Sequence, residues 1–315
     1  MMKPEIVTFG ETMALLAPEG NKGIEFSDRL TKGFGGAESN VAIGAARLGV
    51  SAGWFSRLGN DPLGRYILKT IRGEGVDVRK AELVEGEQTG LMMRELEHGK
   101  TAVYYMRKGS AASRMSASDV DEQYIAGAKL LHVTGITPAL SGSCREAVQT
   151  AIRFAKKHGV KVSFDPNLRL KLWTIEEAKA VLLPLAEQAD YFLPGYDELK
   201  LLYGTENGDE IINRVKQLNG VTVIKSWGEQ TCVVDGDAMS SVPWFETEVV
   251  DPIGAGDAFA AAFLTGIVKG LSPSDAARWG NAAGSLAVRT PGDWEGYPTE
   301  KQLLRMLNNE AFIER

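Results

Sequence analysis

The sequence predicts an α/β fold: a mostly parallel sheet with helices on both faces and a small β appendage. Three observations predict it. Short apolar runs alternate with helical patterns along most of the 315 residues, the mark of repeated crossover units. Two segments, 14–26 and 89–107, break the alternation and read as extended chain with turns. The run Asp251-Pro252-Ile253-Gly254-Ala255-Gly256-Asp257 opens directly into an apolar, alanine-rich stretch, a tight turn feeding a buried helix.

The expected strands are 6–9, 52–55, 130–134, 160–164, 191–193 and 221–224, each short and apolar, as strands buried on both faces are. The helices expected between them are 38–48, 64–72, 143–158, 175–188, 197–203 and 210–217. The C-terminal third adds 256–270, an amphipathic 299–307, and 273–287, where Pro273 suits the fixed φ of a first helical position. Residues 1–315 are expected to form one domain, with ligands beyond the carboxyl ends of the strands. The appendage is expected to be a lid from approximately 11–34 and 86–110, including a hairpin of 91–97 and 101–107 about a His98-Gly99-Lys100 turn.

Composition narrows the function. The chain is 44% hydrophobic and 24% charged, ordinary for a globular protein. A net charge of −6 argues against a nucleic-acid surface. No apolar run approaches the roughly 18 residues of a membrane span, and Met1-Met2-Lys3-Pro4-Glu5 leads into the first strand without a signal-peptide core. With Cys144 and Cys232 alone, a disulfide framework is not expected and a reducing cytoplasm is. His98, His132 and His158 are scattered, which argues against a His/Cys metal cage or a histidine relay.

The 251–257 run carries the chemistry. A helix start exposes unpaired N–H groups and partial positive charge, so it suits an anion. Gly254 and Gly256 let the backbone come close to that anion. Asp257 beside a phosphate makes sense as a base taking a proton from an attacking hydroxyl; the plainer alternative is a helix cap. The pattern implies phosphoryl transfer to an alcohol.

Other constellations fit around it. Gly35 and Gly36 precede a helix carrying Asn40, whose amide suits hydroxyls, although such glycines also serve as plain turns. Tyr105 and Arg107 share a strand face and suit a polyhydroxy anion, unless that face is merely solvated. Asp165-Pro166-Asn167-Leu168-Arg169 follows a buried strand, where Arg169 suits a carboxylate or phosphate. Ser226 and Gly228 follow another and suit a nucleotide, with an ordinary turn as the competing view. No Gly-x-Gly-x-x-Gly opens the first helix, which disfavours a dinucleotide dehydrogenase.

These motifs resemble the ribokinase (PfkB-type carbohydrate kinase) family from Ile6 to about Pro298: Gly35-Gly36 with Asn40 its first signature, Asp251 to Asp257 its second. The resemblance implies a Rossmann-like αβα three-layer sandwich (ribokinase-like) with a small β-sheet lid, ATP as donor, Mg²⁺ as counter-ion, and room for a monovalent cation (K⁺) near Asp251. It implies Asp257 as base and the backbone of Gly254, Ala255 and Gly256 as an anion hole. Asn167, Arg169, Ser226, Gly228 and Asn281 fall on the nucleotide side by the same carry-over. Gly35, Gly36, Asn40, Tyr105, Arg107, Arg169, Asp257 and Asp293 fall on the sugar side. Glu198 is placed to orient water around Mg²⁺, with Gly195 where the family often has Asn. The stretches from Tyr104 to Ala111 and from Phe164 to Trp173 are most similar to 2-keto-3-deoxygluconate kinases, which implies phosphorylation of that acid's terminal (6-) hydroxyl. Fructokinases, nucleoside kinases and a non-catalytic sugar-binding protein of the same fold remain alternatives. A homo-oligomer through the lid is expected because exposed sheet edges seek partners.

Overall fold

The computed structural model describes residues 3–20, 23–97 and 100–309. Its centre is an eight-stranded sheet. The strands run, edge to edge, Ala238–Pro243, Gln230–Asp235, Val221–Ile224, Tyr191–Phe192, Lys161–Asp165, Leu130–Thr134, Ile6–Phe9 and Ala52–Phe55. The six from Val221–Ile224 to Ala52–Phe55 pair in parallel, with registers such as Phe164 beside Val133 and Ile6 beside Ala52. All four residues of Ile6–Phe9 are buried, as a strand covered on both faces requires. Side chains alternate between two apolar clusters: Ile6 and Leu130 pack on one face, Val7, Phe9, Leu131 and Val133 on the other.

Helices cover both faces, and their starts are chemically marked. Ser141 caps Gly142–Lys157 by accepting from Cys144 N at 3.1 Å, and Lys156 and Lys157 lie in its last turn. Thr174 and Glu177 form a capping box on Ile175–Ala186. In Ala255–Val268 every residue from 258 to 266 is buried. Its small side chains let neighbours approach: a Cβ at Gly44 would collide with Ala261, and one at Gly280 with the ring of Phe259.

A second, four-stranded sheet forms the lid. Its order is Leu30–Gly35, Met13–Pro18, Leu91–Glu97 and Lys100–Met106, with Met13, Leu15 and Met92 packed on the inner face. The last two strands pair antiparallel from Leu91 beside Met106 onward, while the His98-Gly99 turn lies outside the described residues. Gly33 to Gly35 end a strand here, rather than forming a loop before the helix Ala37–Arg47.

The sequence reading misses two short helices, Glu122–Ala126 and Ile136–Leu140, and two strand features. Gln230–Asp235 and Ala238–Pro243 add an antiparallel hairpin to the edge of the main sheet, closed by Gly236-Asp237 with Gly236 at φ +56°. Arg57–Gly59 and Glu82–Val84 form a small parallel pair. Three-residue strands are too short to show a period of two.

Candidate active site

The carboxyl ends of the parallel strands gather the residues the sequence singles out. Gly254 stands at φ +76° as N-cap of Ala255–Val268, and no side chain caps that helix. The conformation requires glycine, and so does the packing, because a Cβ at 254 would strike the carbonyl of Asp293. Tyr297 Oη donates to Gly254 O at 2.8 Å and fixes the turn. The Ala255 N–H makes only a long contact, 3.5 Å, to Pro252 O. An uncapped helix start is thus presented to a ligand.

Beside it, under the lid, lies a cavity of about 280 Å³. Gly35, Gly36, Asn40, Tyr105, Arg107, Arg169, Asp257 and Asp293 all line it, as do Gly254 and two residues the sequence reading missed, Glu11 and Arg94. Gly35 must be bare because a Cβ there would collide with the Asp293 carboxylate. Asn40 Nδ2 donates to Asp257 Oδ2 at 2.9 Å. Asn40 Oδ1 is buried with no partner among the described residues, so one acceptor at the cavity wall is unused. Burial pushes the Asp257 carboxyl up to about 6, against the hydrogen bond from Asn40. Asp293 rises to about 7, first through burial and then through the charge of Asp257.

Arg107 lies one residue beyond the strand Lys100–Met106 rather than on it, and it is not a free cation. Its Nε donates to Glu11 Oε2 at 2.7 Å, and its Nη2 also contacts Glu11. Ser110 Oγ donates to the other oxygen at 2.6 Å. Glu11 is 2% exposed and holds the guanidinium against the cavity wall. Arg169 is exposed and reaches both this cavity and a wider one, of about 720 Å³, that shares Tyr105 and Arg107.

On the far side of the helix start is a third cavity, of about 260 Å³, lined by Ala255, Gly256, Phe259, Trp244, Lys225 and Asn281 among others. Asn281 is in its wall, yet its amide is occupied. Nδ2 donates to Val242 O and Pro243 O, both at 3.1 Å, and Oδ1 accepts from Thr231 at 2.7 Å. Ser226 Oγ likewise accepts from Tyr196 N at 3.1 Å. Asn167, at φ +35°, donates its N–H to Asp165 Oδ1, and Gly228 turns at φ +66° in the loop beyond Ser226. Lys225, which the sequence reading left without a role, pairs with Asp165 Oδ2 at 2.6 Å. Burial opposes its charge, but Asp165 and Glu198 outweigh that and hold its pKa above the usual lysine value. Its Nζ is also the atom nearest to where a Cβ of Gly256 would stand.

Glu198 accepts from Leu168 N at 2.6 Å and Gly195 N at 2.7 Å. Its carboxylate therefore shapes the two loops. Among the described residues no three acidic, His or Cys side chains cluster as a metal cage. The two carboxylates that are present, Glu198 and Asp165, fit a Mg²⁺ ion carried on nucleotide phosphates, which keeps several waters and takes one or two carboxylates at most.

Residues 3–300 match the family described as pfkB family carbohydrate kinase. The chain belongs to the pfkB family of carbohydrate kinases. It is an ATP-dependent carbohydrate kinase with the ribokinase-like fold. It is 38% identical over 320 residues to the 2-dehydro-3-deoxygluconokinase of Bacillus subtilis (strain 168), covering 100% of this chain and 98% of that one. The crystal structure of the 2-dehydro-3-deoxygluconokinase of Thermotoga maritima superposes with a TM-score of 0.87 at 29% identity, covering 98% of each chain. A putative ribokinase II of E. coli, solved with ATP and Mg²⁺, gives 0.90 at 25% identity over 98% of this chain and 100% of that one. No helix among the described residues of this kinase is long and apolar enough to cross a membrane.

Proposed function

We propose that this kinase transfers the γ-phosphoryl group of ATP to the terminal 6-hydroxyl of 2-keto-3-deoxygluconate, with Asp257 as general base. One observation carries the reading. Asp257 stands where a sugar-sized cavity meets an uncapped helix start, with Asn40 aiming its carboxylate at 2.9 Å.

The sugar acid lies under the lid and ATP lies along the third cavity, its γ-phosphoryl at residues 254–257. Asp257 accepts the hydroxyl proton as that oxygen attacks phosphorus in line, and the bond to the bridging oxygen of ADP breaks opposite. The N–H groups of Gly254, Ala255 and Gly256 receive the developing negative charge. Lys225 adds a fixed positive charge next to Gly256. Glu198 and Asp165 would be the carboxylates nearest a Mg²⁺ ion brought in on the phosphates, which would supply neutralisation of phosphate charge. The closed lid excludes water from the transfer. Arg169, with Arg107 behind it, receives the carboxylate of the acid.

The Asp251 carboxylate faces the guanidinium of Arg94 at 3.0 Å, and turnover with and without added K⁺ tests whether a monovalent cation acts beside it. The outer lid strands expose Leu30, Tyr104 and Met106, which supports pairing of two copies through the lid. Both cysteines are free and buried, which suits a reducing cytoplasm.

A second reading has its own support. Glu11 offsets the charge of Arg107, which favours a neutral ketose such as fructose. Turnover on 2-keto-3-deoxygluconate, its galactonate epimer, fructose and adenosine, with ATP and Mg²⁺ and product mass as readout, decides between them. Asp257→Asn should lower kcat by roughly 10²–10⁴-fold on the preferred sugar while ATP still binds. Near-full activity in that variant would remove Asp257 from its role.

A further inference from the structure

Arg94 joins the two halves of the site. It projects from the lid strand Leu91–Glu97 and lines the cavity that holds Asp257 and Asp293. Its Nη1 donates to Asp251 Oδ2 at 3.0 Å, across 157 residues of chain. Both side chains are largely withdrawn from water, 18% and 13% exposed. Asp251 begins the run that ends at Asp257, and its other contacts are to backbone. Oδ2 accepts the Gly292 N–H at 3.2 Å, and Oδ1 accepts the Ile253 N–H at 3.1 Å. One carboxylate therefore holds three pieces together: the lid, the turn that leads into the helix start, and the loop that carries Asp293.

We propose that Arg94 is a positioning residue that makes closure of the lid and formation of the anion hole a single event. Charge-assisted hydrogen bonds away from bulk water are the strong kind. The turn that this bond grips has no slack, because Gly254 is pressed against the Asp293 carbonyl. A shift of Asp251 therefore moves the phosphate-facing N–H groups and the sugar-facing Asp293 together. With the lid raised, the carboxylate loses its cation and the turn loses one of its three ties. The N–H groups are then set for a phosphoryl group only when the lid is seated over an acceptor, and ATP is not hydrolysed while the site waits. The inference rests on reading residues 254–257 as the phosphate site and does not depend on which sugar is used.

The test is Arg94→Met in the full chain, with phosphorylated sugar and ADP measured in the same reaction on the preferred sugar of the panel. The expected result is a kcat lower by roughly 10–100-fold, the scale of a small misplacement at a reacting centre. The ratio of sugar phosphate to ADP should fall below one, and Arg94→Lys should recover part of both losses. A raised KM for sugar with kcat and the ratio unchanged would make Arg94 a substrate contact and overturn the tie, as would unaltered kinetics. Should Arg94→Met unfold, the milder Arg94→Gln, combined with Asp251→Asn, keeps the question open to decision. The double variant should lose no more than either single one, and losses that multiply would overturn the tie. Failure of the phosphate-site reading shows separately, as retained turnover in Asp257→Asn.

Discussion

Asn40 Nδ2 lies 2.9 Å from Asp257 Oδ2, although 217 residues separate the two in the chain. The bond holds the carboxylate in one orientation and favours its charged form. Burial works the other way and sets the group near 6.

That balance predicts a pH profile. A base must be ionised to accept a proton, so kcat/KM should fall about tenfold per unit as pH drops below about 6. Asn40→Ala removes the hydrogen bond that lowers the pKa, so the acid limb should move to higher pH. Initial rates from pH 4.5 to 8 at fixed sugar check both, and an acid limb that Asn40→Ala leaves in place would contradict this account.

The Glu11–Arg107 pair predicts a separation of stability from specificity. Arg107→Ala strands a buried carboxylate with Ser110 as its remaining donor, which should cost roughly 3–5 kcal/mol in denaturant unfolding. It should also harm use of the sugar acid more than use of a neutral sugar. Adding Glu11→Gln should restore most of the stability and none of the preference for the acid. A double variant that recovers both would leave Arg107 with a structural role alone.

Glu38 predicts how stability varies with pH. It is fully buried in the helix Ala37–Arg47, and Thr134 and Thr137 both donate to its Oε1 at 2.7 Å. Oε2 has no partner among the described residues, and burial raises the group from 4.5 to about 7. The folded state therefore prefers the protonated acid. No penalty applies below pH 4.5. It grows as pH rises toward 7 and then levels off at about 3 kcal/mol. Unfolding free energies of Glu38→Gln should lack this decline between pH 4.5 and 7, and identical slopes in the two proteins would refute it.

Much of the fold was legible in the sequence because its signals are local. Strands such as Ile6–Phe9 and Leu130–Thr134 are uninterrupted apolar runs, and Pro273 marks a helix start by its own ring. The 251–257 turn was legible for the same reason, since glycine freedom and a helix start are properties of neighbouring residues. Glu11 and Arg94 were not, because their meaning lies in partners 96 and 157 residues away. Asn281 shows the converse: it does line the third cavity, but a local reading could not see that Thr231, Val242 and Pro243 already engage its amide, nor that Ser226 accepts from Tyr196. The Gly236-Asp237 hairpin did carry a two-residue turn signal, hidden by reading the segment before it as ligand loop.

The contact between Gly254 and the Asp293 carbonyl has a consequence for how such kinases diversify. The turn that carries Gly254 and the loop that carries Asp293 are interlocked, so neither can drift without dragging the other. The lid shares that interlock at Gly35, where a Cβ would strike the Asp293 carboxylate, whereas Met13, Leu15 and Met92 line the cavity through their side chains. Substitutions at those three side chains can therefore reshape the cavity without moving the backbone beneath it, whereas a side chain at Gly35 or Gly254 cannot be added without displacing Asp293.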